Sequence, residues 1–403
     1  MDKVITDNKK INEVLIRGIE KIYPDFKSLK AKLKTGKRIR LYCGYDPTAP
    51  SLHIGHAITL RKLAQFQELG HEVIMLIGDF TAMIGDPTDK TATRKKLTRG
   101  EVEKNLKNYK KQASNILKFS GSNPAKIMFN SKWNDKLSFV DLIDVTSNFT
   151  VQQMITRDMF QRRIKDNKPI YLHEFLYPVA QAYDSLVMNV DLEIGGNDQI
   201  FNMLCGRDLM KAVKNKEKFV LALKLLVDSS GKKMGKTEGN MINLDDSPKN
   251  IYGKVMSWPD SLIVPGFELC TNVSMEDVEK IEKDIKKNKI NPRDAKAKLA
   301  LKITSIYNGQ KAALNAEKEF NKIFKEKKAP SKMPSYKLTT ADIDIIDLLL
   351  EIKLAPSKSE AKRLIQQGAV KVDKKIINNW GKKINIQKGT IIQVGKRRFL
   401  KLI

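Results

Sequence analysis

Arg38-Ile39-Arg40-Leu41-Tyr42-Cys43-Gly44 reads as a buried strand, and it breaks at Asp46-Pro47-Thr48-Ala49-Pro50, a turn-rich loop. A helix is predicted from near Ser51, with Ala57, Leu60 and Ala64 on one face, stopping at Gly70. The next apolar run, Val73-Ile74-Met75-Leu76-Ile77, predicts a second strand ending in Gly78-Asp79. Strand, loop, helix and strand within about forty residues make a βαβ unit, whose crossover is right-handed. Ligands of such sheets sit outside the carboxyl ends of the strands, where the loops 44–50 and 78–90 fall.

Around this unit the alternation changes. The segment before Arg38 is mostly helical by pattern, and the stretch from about 125 to 168 interrupts the sheet with inserted helices. The sheet pattern resumes near Tyr171 and ends with the loop around Lys233. Residues 247–325 read as helical and rich in Lys and Glu, and Pro and Lys without apolar periodicity at 327–334 mark a linker. The expected organisation is an α/β domain over 1–245, a helical domain over 246–326, a linker over 327–339 and a small α+β module over 340–403. No internal repeat is visible.

Composition narrows the setting. A chain of 403 residues with 41% hydrophobic and 30% charged residues is expected to form two or three well-filled globular domains. No apolar run reaches the ~20 residues of a membrane helix, and the polar start Met1-Asp2-Lys3-Val4-Ile5 is not that of a secretory leader. Cys43, Cys205 and Cys270 lie far apart, which argues against a disulfide framework and against a zinc site, so a cytoplasmic protein is expected. The net charge of +28 is uneven, with Lys and Arg concentrated toward the end of the chain. A lysine-rich proteome accounts for part of such an excess, and a polyanionic partner for a stripe of this kind.

Two segments carry phosphate chemistry. His53-Ile54-Gly55-His56 sits at the start of the first helix, where free backbone N–H groups and the helix dipole attract anions. Spacing of three puts His53 and His56 on one face, and Gly55, lacking a Cβ, would let a flat base lie against the backbone. A close His pair is often incidental; its place after a strand and a Pro-rich loop gives it weight. The second segment, Gly231-Lys232-Lys233-Met234-Gly235-Lys236-Thr237, combines glycines, lysines and a hydroxyl suited to closing on a triphosphate. It nearly matches a P-loop but has Ser230 where the first glycine is needed, and no helix pattern follows it.

The tetrapeptide HIGH at 53–56 and KMGKT at 233–237 resemble the two signature motifs of class I aminoacyl-tRNA synthetases, the second departing from KMSKS at Gly235 and Thr237. Leu41-Tyr42-Cys43-Gly44-Tyr45-Asp46-Pro47-Thr48, Tyr177-Pro178-Val179-Ala180-Gln181-Ala182-Tyr183-Asp184 and Gly195-Gly196-Asn197-Asp198-Gln199 are similar to segments of the tyrosyl enzymes. Tyr177, Gln181 and Asp184 are spaced by four and three and share a helical face, with Pro178 acceptable if the helix begins just before it. Burying phenol, amide and carboxylate together is costly unless they meet a polar ligand or satisfy one another.

The resemblance implies a Rossmann-type class I synthetase catalytic domain, a helical anticodon-side domain and a small α+β S4-like RNA-binding domain. By the same resemblance, Tyr42 and Asp184 would hydrogen-bond the tyrosine hydroxyl, Asp86, Tyr177 and Gln181 would hold its α-ammonium, and Gln199 would lie near its carboxyl. Thr48 and His53 would contact the ATP γ-phosphate, with His56, Thr59, Gly55 and Gly196 along the nucleotide and Asp198 on the adenylate ribose. Lys233, Lys236 and Thr237 would stabilise the departing pyrophosphate, Thr48, His53 and His56 completing the catalytic set. Magnesium would arrive with ATP, no protein-bound metal being expected, and the inserted helices would join a homodimer.

Ser357-Lys358-Ser359-Glu360 reads as a capping box opening a short helix that stops at Gly368, with Lys358, Lys362 and Arg363 making one face cationic and short strands at 369–373 and 390–394. Plain solvation explains such a face; the run Leu354–Val370 also resembles the S4 RNA-binding fold at the end of bacterial-type tyrosyl enzymes, which implies tRNA(Tyr) as partner. A tryptophanyl-type synthetase and an inactive RNA-binding relative are the alternatives.

Overall fold

The computed structural model describes residues 3–88, 97–227, 241–324, 333–337, 343–381, 387, 389–395 and 398–403. Six strands, β1 (Ile19–Tyr23), β2 (Arg40–Tyr45), β3 (Glu72–Ile77), β4 (Lys126–Phe129), β5 (Leu192–Gly196) and β6 (Phe219–Leu223), form one sheet in the order β1-β6-β5-β2-β3-β4. All neighbours run parallel except β1, which is antiparallel to β6. The chain builds β2, β3 and β4 outward on one side and returns to add β5 and β6 on the other. The order therefore reverses between β2 and β5, and a crevice opens there beyond the strand ends.

Two strands depart from the sequence reading. β1 lies in the segment read as mostly helical, and β4 lies at the start of the stretch read as inserted helices. Each gains its strand character from a partner far along the chain, β6 for β1 and β3 for β4. The inserted helices run from Ser131 to Lys165.

The helix joining β2 to β3 spans Ile54–Glu68, starting later than the expected Ser51 because His53 serves as its N-cap. Ala57, Leu60, Leu63 and Phe66 are buried, each large side chain contributing roughly 1.5–3 kcal/mol. Lys62 is the charged exception on the buried face. Its ammonium donates to the carbonyls of Val14 (2.6 Å) and Arg17 (2.9 Å), closing the end of the helix Asn8–Ile16. Burial, and next the neighbouring Arg17, lower its pKa from 10.5 to about 7.

The unfolded chain holds that proton to higher pH, so from about pH 7 to 10 the unfolded state binds more protons. Stability from this group therefore rises with pH, by up to about 1.4 kcal/mol per unit. Lys62→Met is expected to flatten the rise, read as a smaller difference between urea midpoints at pH 7 and pH 9 than in the wild type.

Arg17 ties the following helical segment to the sheet. Its guanidinium donates to the carbonyls of Phe267 (3.0 Å), Glu268 (2.9 Å), Thr271 (2.7 Å) and Val273 (2.6 Å), capping the helix Ile263–Cys270. The helices Pro248–Met256, Met275–Lys286 and Pro292–Asn308 complete this compact unit, which ends at Asn308.

The second unit runs from Gly309 to the end. It holds the helix Gln310–Phe324 and a sheet of β7 (Ser335–Tyr336), β8 (Val370–Val372), β9 (Lys375–Ile376), β10 (Ile391–Val394) and β11 (Arg398–Leu402), ordered β7-β11-β10-β8-β9. The helices Ile345–Glu351 and Lys358–Gln366 share its core through Leu348, Leu349, Ile365, Val370, Ile392 and Leu402. β7 lies within the stretch read as linker, because Ser335 and Tyr336 pair with β11. Among the described residues no helix is long and apolar enough to cross a membrane.

Candidate active site

At the switch between β2 and β5 the first unit opens a cleft of about 770 Å³. Its lining includes Tyr42, Thr48, His53, Gly55, His56, Thr59, Asp86, Tyr177, Gln181, Asp184, Gly196, Asp198 and Gln199, so every candidate amino-acid and nucleotide residue that is described converges there.

The nucleotide-facing end is built on the His53 cap. His53 N–H donates to His56 Nδ1 (3.1 Å) and His56 N–H to His53 Nδ1 (3.3 Å), while the rings stack 3.7 Å apart. Both Nδ1 atoms accept, so each neutral imidazole carries its proton on Nε2, a donor suited to phosphate oxygens. Burial, then the neighbouring His53, hold the His56 pKa well below 6.5. A Cβ at Gly55 would lie 2.9 Å from His53 Cε1. The glycine thus makes room for the capping ring, beyond the expected contact with a flat base. Thr59 donates to His56 O (2.9 Å) and meets Tyr45 OH at 2.8 Å.

The loop carrying Thr48 is held from outside by Asn105 to Pro47 O (2.9 Å), Tyr109 to Ala49 O (2.8 Å) and Gln112 to Pro50 O (3.2 Å). Lys233, Lys236 and Thr237 lie outside the described residues. The segments on either side of that loop do reach the cleft: Leu225, Leu226, Met241 and Asn243 line it, and Ile54 N–H donates to Ile242 O at 2.9 Å.

The other end is polar and buried. Asp184 accepts Trp133 Nε1 (2.8 Å) and Asn134 Nδ2 (3.2 Å) on one oxygen and Asn130 Nδ2 (3.1 Å) on the other. Burial pushes its pKa up to about 7 against the pull of those donors. Tyr42 OH lies 2.9 Å from Ser185 Oγ, and Gln181 Nε2 donates to Glu193 Oε1 (2.9 Å). Gln199 Nε2 donates to Asp86 Oδ2 (2.8 Å), and Thr88 holds the other Asp86 oxygen through N–H (2.9 Å) and hydroxyl (2.6 Å).

Tyr177, Gln181 and Asp184 lie on the helix Leu172–Met188, which starts well before Tyr177, so Pro178 stands inside it rather than at its first turn. The missing N–H there leaves the Glu174 carbonyl without its ordinary helical partner. The surrounding packing, with Pro178 buried, holds the helix through it.

Sequence reasoning missed Asp46 as a site residue. It accepts Tyr177 OH (2.8 Å) and Thr81 Oγ1 (2.7 Å) in the cleft wall. A Cβ on Gly78 would come within 2.0 Å of its Oδ1, so Gly78 was the available signal. Asn130, Trp133 and Asn134 were hidden in the stretch read as insertion, although their spacing of three and four marks one helical face.

Lys358, Lys362 and Arg363 belong to the second unit. Lys358 pairs with Asp347 (2.9 Å) and Lys362 lies 5.9 Å from the Trp380 ring. Ser357 accepts from Glu360 N–H, but the Glu360 carboxylate turns to Arg363 (2.7 Å) instead of closing the expected box. Those exposed pairs temper the cationic face without neutralising Lys362.

Comparison with known proteins gives a single answer. Residues 34–325 match the family described as tRNA synthetases class I (W and Y), and residues 325–402 match the SYY-like C-terminal domain of tyrosine–tRNA ligase. The tyrosine–tRNA ligase of Moorella thermoacetica is 41% identical over 96% of this chain and 94% of that protein. That of Carboxydothermus hydrogenoformans is 43% identical over 99% of each. A C-terminally truncated mitochondrial tyrosyl-tRNA synthetase from Coccidioides posadasii shares the fold, with TM-score 0.63 at 24% identity over 77% of this chain and 92% of that one. With its cleft at the strand-order switch, its histidine-capped helix and matches spanning nearly its whole length, the chain belongs to the tyrosine–tRNA ligases among the class I aminoacyl-tRNA synthetases.

Proposed function

We infer that this chain activates L-tyrosine with ATP and transfers it to the 3′ end of tRNA(Tyr). The observation that carries the substrate is the buried polar end of the cleft, where the Asp184 carboxylate and the Tyr42 hydroxyl stand together. An indole offers one N–H and no hydroxyl oxygen to such a pair, which favours tyrosine over tryptophan. ATP–pyrophosphate exchange with tyrosine, tryptophan and phenylalanine tests this: tyrosine alone is expected to support rapid exchange, and faster exchange with tryptophan would overturn it.

The reading gives each residue work. Asp86, Tyr177 and Gln181 take the α-ammonium, helped by Asp46, and Gln199 keeps the carboxylate in line. That carboxylate attacks the α-phosphorus, an O–P bond forms, and the electron pair of the broken bond leaves on pyrophosphate. No side chain acts as nucleophile; positioning and charge stabilisation do the work. The Nε2–H groups of His53 and His56 and the hydroxyl of Thr48 face phosphate oxygens, Thr59 and Asp198 serve the ribose, and Gly55 and Gly196 admit the nucleotide. A terminal ribose hydroxyl of the tRNA then attacks the adenylate carbonyl and AMP leaves.

Magnesium enters with ATP as part of that substrate; among the described residues no cluster of three His, Cys, Asp or Glu side chains is arranged to hold a metal. Lys233, Lys236 and Thr237 receive the pyrophosphate as it departs. Lys236→Ala is expected to slow adenylate formation about 100-fold with tyrosine KM nearly unchanged, since charge needed late affects kcat; an equal rise in KM would assign the lysine to the amino-acid pocket.

A second copy of the chain fits the inserted helices. Phe139, Val140, Ile143 and Val151 are 78%, 67%, 52% and 66% exposed, an apolar surface of the kind that marks an interface. Sedimentation is expected to give twice the mass of one chain, and a monomer at micromolar concentration would contradict it. The cytoplasm, where tRNA is charged, is the expected location, and cell fractionation tests it.

A further inference from the structure

On the reading that the cleft holds tyrosine, we propose that Lys218 and Ser185 fix the direction of the hydrogen bonds reaching the substrate hydroxyl, Ser185 being a positioning residue for amino-acid selectivity. Tyr42 in β2 and Glu193 in β5 are register partners on one face of the sheet. The helix Leu172–Met188 brings Gln181 and Ser185 onto that face, and Lys218, next to β6, reaches in from behind. Lys218 and Ser185 are fully buried and Glu193 is 2% exposed. A Cβ on Gly206 would sit 2.5 Å from Lys218 Nζ, so that glycine opens the space the ammonium fills.

Two charges taken out of water are tolerated only when their remaining protons and lone pairs are matched. An ammonium has three protons and accepts nothing. Lys218 sends them to Glu193 Oε2, to Met203 O (3.2 Å) and to Ser185 Oγ (2.8 Å). Ser185, receiving at its oxygen, must give its own proton away. The candidates are Tyr42 oxygen at 2.9 Å and Glu193 Oε2 at 3.4 Å, and the shorter contact goes to Tyr42.

Tyr42 oxygen then receives, and its proton is shared between the Glu193 carboxylate behind it and the cleft that the residue lines, to which a bound hydroxyl oxygen draws it. A tyrosine substrate accepts that proton at its hydroxyl oxygen and donates its own to Asp184, whose hydrogen-bond partners Trp133, Asn130 and Asn134 are all donors. The order runs in one direction: Lys218, Ser185, Tyr42, substrate hydroxyl, Asp184. Phenylalanine breaks it, leaving a donor and a carboxylate unpaired. The same carboxylate orients Gln181, since Glu193 Oε1 takes its N–H and turns the amide oxygen toward an ammonium.

The test is ATP–pyrophosphate exchange with tyrosine and phenylalanine for the wild type, for Ser185→Ala, and for the double variant Glu193→Gln with Lys218→Met, each checked by thermal midpoint. Ser185→Ala is expected to raise tyrosine KM about tenfold, with kcat within about twofold and the phenylalanine constants unmoved. The double variant, which removes both charges but keeps an acceptor for Gln181, is expected to lower the tyrosine-to-phenylalanine ratio of kcat/KM at least about threefold. An unchanged ratio in Ser185→Ala, or KM values for both amino acids rising together as from a loosened pocket, overturns the proposal. A wild type that activates no tyrosine defeats the functional reading itself, a result separate from either.

Discussion

Asp184→Ala is expected to lower kcat/KM for tyrosine by roughly 100-fold while leaving phenylalanine within a few-fold of its wild-type value. The size follows from what the carboxylate does. It is the charged acceptor for the substrate hydroxyl, and hydrogen bonds to charged groups contribute about 1.5–3 kcal/mol. Its loss also strands the donors of Trp133, Asn130 and Asn134 beside the cavity. Tyr42→Phe removes a neutral partner and is expected to cost only about 0.5–1.5 kcal/mol.

A pH series separates this from a general disturbance. Burial raises the Asp184 pKa to about 7, so lowering the pH from 8 to 6 protonates the acceptor. Tyrosine binding by the wild type therefore weakens toward pH 6, and phenylalanine binding does not follow. The sign for folding is opposite: the folded state keeps this proton to higher pH than the unfolded chain, so the group lowers stability as pH rises from about 4 to about 7. Equal losses for the two amino acids in both Asp184→Ala and Tyr42→Phe would move recognition of the hydroxyl elsewhere.

The second large effect concerns the end of the chain. A protein ending after Phe324 is expected to form tyrosyl-adenylate at near the full rate, because the whole described cleft lies in the first unit. Its charging of tRNA is expected to fall roughly 100-fold at moderate salt, since phosphate contacts made by Lys and Arg dominate such affinities. Residues 340–403 carry fourteen Lys and Arg against six Asp and Glu. Charging by the full chain should accordingly fall steeply with added salt, and the shortened protein should be less salt-sensitive. Equal charging by the two proteins would remove the RNA-binding role from this module.

Much of this was legible because it is local. The break after β2 is turn chemistry visible in a few consecutive residues, and the helix after it was legible to within a few residues, its start missed because a histidine serves as the cap. What stayed hidden depends on partners far along the chain. β1 acquires its character by pairing with β6 some two hundred residues later, and no period in Ile19–Tyr23 announces it. Lys218 stands in the charged run Lys214-Asn215-Lys216-Glu217-Lys218, which reads as a solvated turn. Only the fold shows that its ammonium is buried against Glu193. Pro178 misled in the other direction, because local rules end a helix where tertiary packing carries it through.

The central claim is that this chain joins tyrosine, and no other amino acid, to tRNA. Its most direct test is aminoacylation of unfractionated bacterial tRNA by the full-length protein with ATP, magnesium and each of the twenty amino acids in turn. The expected result is labelled tRNA with tyrosine alone, formed only when ATP is present. Charging with tryptophan in place of tyrosine, or binding of tRNA with no charging by any amino acid, would contradict the account.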